Sequence, residues 1–212
     1  MSTTLSAPVT PPPVMHSTLT PLSSIVGLRR FTVVEYRKML EAGILFEGEK
    51  VELLEGLVVE KGVRNQPHEN GLRRLSIRFP RYLPSGYILQ VQGAIRLSDS
   101  EPEPDGAVIR GDETTCDNHF PGPDDLPLLI EVSDSTLGRD RRDKGRMYSR
   151  SNVPIYWIVN VADGWIEVYT NPDPAANPPA YLNRRDYLPG QDVPLILDGV
   201  QVSTIPAADL LP

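Results

Sequence analysis

Leu126-Pro-Leu-Leu-Ile-Glu-Val132 is an apolar run that carries a single ionisable residue, Glu131, near its end. A strand so uniformly apolar is covered on both faces, as strands in the middle of an α/β sheet are, and an ionised carboxylate there is costly unless a charged group meets it. Glu131 therefore needs a partner. A second carboxylate, Asp105, opens another short apolar strand, Asp105-Gly-Ala-Val-Ile109, and Lys144 falls on the inner side of a predicted helix with Met147 and Tyr148. Two buried acids and one lysine are the residue types of a metal-dependent phosphodiesterase site.

Working outward, Thr32 and Glu35 form a capping box that starts a helix running through Tyr36, Met39 and Leu40 to Gly43. Val51 to Val59 reads as two short strands joined by a tight turn at Gly56, and a helix of about fifteen residues is expected from His68. Tyr87 to Leu97 is the next predicted strand, with Gly93 as a bulge, followed by Asp105 to Ile109 and Leu126 to Val132. After a Ser, Asp and Thr loop from Ser133 to Gly138, a helix is expected from Arg139 to Ser151, stopped by Pro154. Ile155 to Val161 and Trp165 to Thr170 form a hairpin around Asp163-Gly164. The remainder reads as proline-rich loop with short strands near Leu195 to Leu197 and Val200 to Val202. No repeat at a fixed period is visible. Strands alternating with helices give an α/β class with a central mixed sheet.

The chain has 212 residues, 22 prolines, 16 glycines, 40% hydrophobic and 23% charged residues, the composition of one soluble globular domain rather than a disordered or membrane protein. Residues 1 to 27 contain Pro11-Pro-Pro13 and many Ser and Thr but no periodicity, and read as a disordered leader; residues 28 to 212 read as the domain. With no membrane-length apolar span, no secretory pattern and a single cysteine, Cys116, a cytoplasmic address is expected. Cys116 lies three residues from His119 and reads as an ordinary loop residue rather than a nucleophile.

A net charge of −7 argues against a protein that coats nucleic acid non-specifically. Two stretches run the other way. Five arginines and one lysine face two aspartates between Arg139 and Arg150, and four arginines face one glutamate between Glu69 and Arg81. On helical spacing Arg142, Arg146 and Arg150 form a solvent-facing stripe, and Arg73 and Arg74 belong to the second group. Both are candidate contacts to DNA phosphates; the alternative is a pair of solvated helix faces.

Asp105, Glu131 and the carbonyl of Val132 would suffice to hold Mg2+ or Mn2+, which prefer oxygen ligands and keep several waters. The metal would polarise a scissile phosphate and lower the pKa of a bound water, and Lys144 could orient that water or offset charge on the phosphorane. The alternative for Lys144 is an i,i+4 pair with Asp140. Gln90 and Gln92 point along one face of a strand leading to Asp105 and either touch the site or are solvated. His68, just before a helix, could contact a phosphate, although a helix-start histidine is most often a local hydrogen-bonding residue; Tyr156 and Trp157 read as core rather than base-stacking aromatics.

Taken together, Glu101-Pro-Glu-Pro-Asp-Gly-Ala-Val-Ile109, Phe120 to Leu137, Asp140, Lys144, Tyr148 and Val153-Pro-Ile-Tyr-Trp-Ile-Val159 resemble the Uma-type family of putative restriction endonucleases, within the PD-(D/E)XK nuclease superfamily. The resemblance runs from about Phe31 to Thr170. It implies a restriction-endonuclease-like core with a central mixed sheet flanked by helices, Pro104-Asp105 as the PD motif and Glu131 as the second acid. The superfamily's lysine would fall at Ser133; the resemblance moves it to Lys144. Glu52 stands where the family has an upstream glutamate, whereas Glu55 replaces the family's more usual Asp. The implied activity is a divalent-metal-dependent endonuclease acting on DNA, with no membrane partner and room for a homodimer. The rival from another class is a nucleic-acid- or partner-binding protein that keeps the fold without turnover.

Overall fold

A computed structural model describes residues 27–46, 49–62 and 64–212, so the expected leader lies, apart from Gly27, outside the described residues. The capping box is formed: the Thr32 side chain accepts from the Glu35 N–H at 3.1 Å and Glu35 reaches back to the Thr32 N–H at 2.9 Å, starting α1 (Val33–Glu41). β1 (Val51–Leu54) and β2 (Leu57–Glu60) pair antiparallel across Glu55-Gly56, both at positive φ, the two-residue turn whose twist suits a hairpin. α2 (Gln66–Arg78) begins two residues earlier than the sequence suggests, because Asn65 caps it and Pro67 sits in its first turn. A 3-10 turn, Phe79–Tyr82, continues it.

β3 (Tyr87–Val91) is shorter than the expected Tyr87 to Leu97: Gln92 turns to φ 53° and the chain leaves the ladder there instead of bulging at Gly93. β4 (Gly106–Arg110) and β5 (Leu128–Ser133) follow. The helix expected from Arg139 to Ser151 is in three joined pieces: α3 (Leu137–Arg139), a π-helical turn at Asp140–Lys144, and α4 (Gly145–Arg150). β6 (Ile155–Asn160) and β7 (Trp165–Asp173) form the expected hairpin. β8 (Ala180–Tyr187) is a full strand in the stretch read as loop; β9 (Asp192–Leu197), β10 (Val200–Pro206) and α5 (Ala207–Leu210) end the chain.

Six strands form the central sheet in the order β3-β4-β5-β6-β7-β8, mixed because β5 and β6 are parallel and every other neighbour is antiparallel. A parallel pair needs a crossover, which the α3 to α4 segment supplies. β5 is buried at every residue, and its alternation splits it between two cores. Leu128, Ile130 and Val132 face one cluster with Leu75, Phe79 and Trp157; Leu129 faces the other with Met147, Tyr148 and Ile158. Glu131 shares Leu129's parity and so points under α4. Tyr156 and Trp157 are both core residues, as the sequence suggests.

α2 lies close against β5 because Gly71 has no side chain: a Cβ there would stand 2.7 Å from Val132 Cγ1 and 3.3 Å from Val161 Cγ2. Gly71→Ala is expected to destabilise the protein by about 1–3 kcal/mol through overpacking. Gly138→Ala, with nothing within 4 Å of the new carbon, is the neutral control. Denaturant titration of the two variants checks the difference; equal midpoints would mean that α2 is not held at Gly71.

Candidate active site

The site forms where a ladder runs out. β4 pairs with β5 as far as Gly106 opposite Ile130, so the next backbone groups of β5 on that side have no strand partner. Asp105, immediately before β4, takes over: its Oδ2 accepts the Val132 N–H at 2.9 Å. Within a strand a residue's N–H and C=O face the same neighbour, so the Val132 carbonyl is turned to this side as well. His68 Nε2 lies 3.1 Å from the same Oδ2, and Gln92 Nε2 is 3.4 Å from Oδ1. Burial works to raise the Asp105 pKa, but the His68 contact, the Lys144 charge and the Val132 N–H outweigh it and hold the carboxyl below its ordinary range.

His68 is set by the first turn of α2, where the Asn65 side chain accepts its N–H at 3.1 Å, and Asn65 in turn donates to Asp134 in the loop after β5. The helix start is thus tied to both carboxylate-bearing strands. His68 is nine-tenths buried and faces the Asp105 carboxylate, a contact its position at a helix start did not reveal. The signal was present in Asn65-Gln-Pro-His68: a cap plus an early proline fixes which turn the histidine occupies.

Glu131 is buried on the opposite side of β5 from Val132. Its Oε1 accepts from Lys144 Nζ at 2.7 Å and from the Tyr148 hydroxyl at 2.8 Å, two donors one helical turn apart on the same helix. Burial raises the Glu131 pKa to about 8; Lys144 opposes this, and the charges of Asp105 and Asp140 add to it. Burial alone would lower Lys144, yet Glu131, Glu52 and Asp140 around it hold it protonated, above its ordinary range. The expected alternative pairing with Asp140 is not made. Asp140 Oδ2 instead accepts from the Ser133 and Thr136 hydroxyls, each at 2.6 Å, so Ser133 anchors the helix to the strand end. The π turn that follows lets the Gly145 N–H reach the Asp140 carbonyl, which also accepts from Tyr156 at 3.2 Å. Such widened turns recur at functional sites.

Glu52 enters from β1. Its Oε2 accepts the Glu103 N–H at 3.3 Å, while Oε1 is buried without a hydrogen-bond donor, 3.5 Å from Arg139 Nη2. The cleft is small, about 60 Å³, and is lined by Glu52, Glu103, Asp105, Glu131, Asp134 and Asp140 against Lys61, Arg64, Arg139 and Lys144. Six acids against four cations leave it electronegative.

The structure therefore gathers Asp105, Glu131, Val132, Lys144 and Glu52 into one cleft, with Gln92 touching Asp105. It does not bring the arginine groups there. Arg146 pairs with Glu55 at 2.6 Å, Arg150 with Asp99 at 2.6 Å and with Glu55 at 3.4 Å, and Arg142 with Asp143 at 3.0 Å. Arg74 donates to the Leu211 carbonyl at the chain's end, and exposed Arg73 to Asn70 at 3.3 Å. The solvent stripe expected from helical spacing is thus largely engaged by acids far away in sequence. Arg139, Lys61 and Arg64, which the sequence reading did not single out, are the cations at the cleft. Cys116 stands elsewhere, half-buried in the loop after β4, where burial and the Asp125 and Asp117 carboxylates push its thiol up. Such surroundings disfavour a nucleophilic thiolate.

The Uma2 family model, described as "Putative restriction endonuclease", matches residues 33–202. The chain belongs to the Uma2 family. Among solved structures it is similar to the crystal structure of a putative nuclease belonging to DUF820 from Anabaena variabilis ATCC 29413, at 15% identity and a TM-score of 0.57 over 85% of this chain and 97% of that one. At that identity the likeness shows a shared fold. No curated protein matches the chain. Among the described residues of this Uma2 chain, no helix is long and apolar enough to cross a membrane.

The Glu131 environment predicts a pH dependence. An unfolded glutamate releases its proton near about 4.3, whereas folded Glu131 holds it to about 8. The folded state binds the extra proton between these values, so that contribution to stability is fully present below the lower value and is lost as pH rises through about 8. In metal-free thermal melts, wild type should lose stability across this window relative to Glu131→Gln, whose amide does not titrate. A difference flat in pH would show that Glu131 is ionised throughout.

Proposed function

We propose that the protein is a divalent-metal-dependent nuclease that hydrolyses phosphodiester bonds in DNA, with Mg2+ or Mn2+ as its cofactor and residues 28–212 working as one domain. The observation that supports this most is the convergence of Asp105 and Glu131 with the protonated Lys144 in a cleft where the Glu52 Oε1 is buried without a donor. The donor set fits a hard cation: carboxylate oxygens from two neighbouring strands, a backbone carbonyl turned to the same side, and an excess of negative charge. Asp105, Glu131 and the Val132 carbonyl would hold it, with Glu52 alongside.

Once bound, the metal supplies polarisation of the phosphate and acidification of a water. The chain's own groups do the rest. His68 and the Val132 N–H fix the Asp105 carboxylate from two directions, leaving Oδ1 only a long contact to Gln92. Tyr148 and Lys144 fix Glu131 through one oxygen and leave the other to the cleft. Lys144, held protonated, acts as a positive charge and proton donor near the reacting phosphate, not as a general base. Lys61, Arg64 and Arg139 at the cleft meet the flanking phosphates.

A plasmid-nicking assay with Mg2+ or Mn2+, paired with metal titration calorimetry, tests the reading. Asp105→Asn and Glu131→Gln should each lose metal binding and cleavage while remaining folded. Lys144→Ala should keep the metal and lose about two orders of magnitude in turnover. Unchanged metal affinity in both acid variants would remove them as ligands, and stoichiometric metal binding without cleavage in wild type would favour the silent binding protein.

DNA binding with Ca2+ in place of Mg2+ separates the two sets of cations. Arg64→Glu should weaken binding to all sequences and reduce the salt slope by about one or more phosphate contacts. Arg73→Glu should leave both unchanged. The reverse result in anisotropy titrations would place the DNA along α2 rather than over the cleft.

A further inference from the structure

Outside the cleft, the loop from Gly111 to Pro127 joins β4 to β5 and carries the chain's single cysteine together with one of its three histidines. Cys116, His119 and Asp125 each offer a ligand atom there, and these three atoms lie within 4.8 Å of one another. We propose that Cys116, His119 and Asp125 form a second metal site, for a borderline-soft divalent cation such as Zn2+.

The donor set is the first argument. Sulfur, imidazole nitrogen and carboxylate oxygen are the three ligand types zinc takes, at about 2.0–2.3 Å, so ligand atoms around one ion stand roughly 3–4 Å apart. The cluster needs only a small closure to reach that. Two ligands separated by two residues, with the third arriving from a different turn, is also how short zinc loops are built. A cavity of about 530 Å³, lined by Cys116 and His119, opens beside the group and leaves room for a water as fourth ligand.

The second argument is how the three are held. Cys116 packs against the apolar cluster under α4, and Asp125 is fixed by accepting the Gly122 N–H at 2.9 Å in the 3-10 turn Pro123–Asp125. His119 is half exposed, and its Nε2 is 3.4 Å from Asp125 Oδ2, too far for a strong hydrogen bond. Two ligands are thus pre-placed and the third can swing onto an ion. The upstream turn is held separately, by the Thr114 N–H donating to Asp112 at 3.0 Å.

The third is charge. Asp117 and Asp125 place carboxylates near the sulfur, negative charge that favours an arriving cation. Zinc deprotonates the thiol it binds, so the site needs no free thiolate beforehand. The class differs from the cleft, whose all-oxygen donors suit a hard ion, so the two sites should take different metals.

The test uses the full chain, stripped with chelator and kept reduced, titrated with Co2+ and then Zn2+. One equivalent of Co2+ should give thiolate-to-metal charge-transfer absorption that Zn2+ abolishes. Cys116→Ser should lose that band, and His119→Ala, an exposed substitution that cannot disturb the core, should weaken Zn2+ binding by about a hundredfold. Asp105→Asn should leave both unchanged. A rise in melting temperature with Zn2+ in wild type that is absent in His119→Ala gives a second, optical-independent reading. No thiolate band at saturating Co2+ in the Asp105→Asn chain, or Zn2+ affinity unaltered in Cys116→Ser and His119→Ala, would overturn the proposal.

Discussion

Glu131 and Lys144 meet at 2.7 Å beneath α4, each nearly sealed from solvent, and the arrangement around them follows from that pair. An isolated buried charge is costly, so the Lys144 ammonium needs the Glu131 oxygen to which it donates. The helix must therefore lie where Nζ can reach Oε1, and Tyr148 on the same face closes the second donor. Ser133 and Thr136 pin Asp140 at the start of that helix, and the π turn takes up the geometry between the two anchors.

A second buried carboxylate shows what a purely structural solution looks like. Glu167 accepts on both oxygens, from Asn160, Trp165, Tyr169 and Arg141, with Arg184 at 3.3 Å, and those donors outweigh its burial and lower its pKa. Glu131 has both donors on one oxygen and a raised pKa. The difference separates an acid whose two oxygens the fold satisfies from one that has both donors on a single oxygen.

The legible parts of the sequence were those where one local interaction decides the geometry. Thr32 and Glu35 are a cap whatever surrounds them, Asp163-Gly164 and Glu55-Gly56 force turns, and a run like Leu126 to Val132 has nowhere to go but the middle of a sheet. β8 was not legible: Asn183-Arg-Arg-Asp186 is an exposed edge strand whose side chains show no apolar alternation, and it follows Pro178-Pro179. The end of β3 was hidden for a related reason, because nothing local announces that Gln92 adopts positive φ. Asp105 and Glu131 stood out because charge in an apolar strand is conspicuous, Lys144 because helical spacing puts it on the inner face, and Glu52 only through the family resemblance; the structure places all four in one cleft. His68 read as a hydrogen-bonding residue but not with Asp105 as its partner, and Arg139 did not stand out, because a polar residue near a helix start is ordinary until its neighbours are known.

The arginine stripe shows why periodicity was insufficient. Helical spacing says which side chains share a face but not what stands opposite, and opposite Arg146 and Arg150 stand Glu55 and Asp99 from other parts of the chain. Glu55 occupies the position where the resemblance leads one to expect Asp, and here its longer side chain reaches both arginines from the β1–β2 turn. These bridges tie that hairpin to α4, and the hairpin carries Glu52 into the cleft. A departure that looked like a weakened motif thus acts on the position of a cleft residue: the arginines of α4 hold the hairpin that carries Glu52, while Arg64, with Lys61 and Arg139 paired to the cleft acids Glu103 and Glu52, lines the cleft itself.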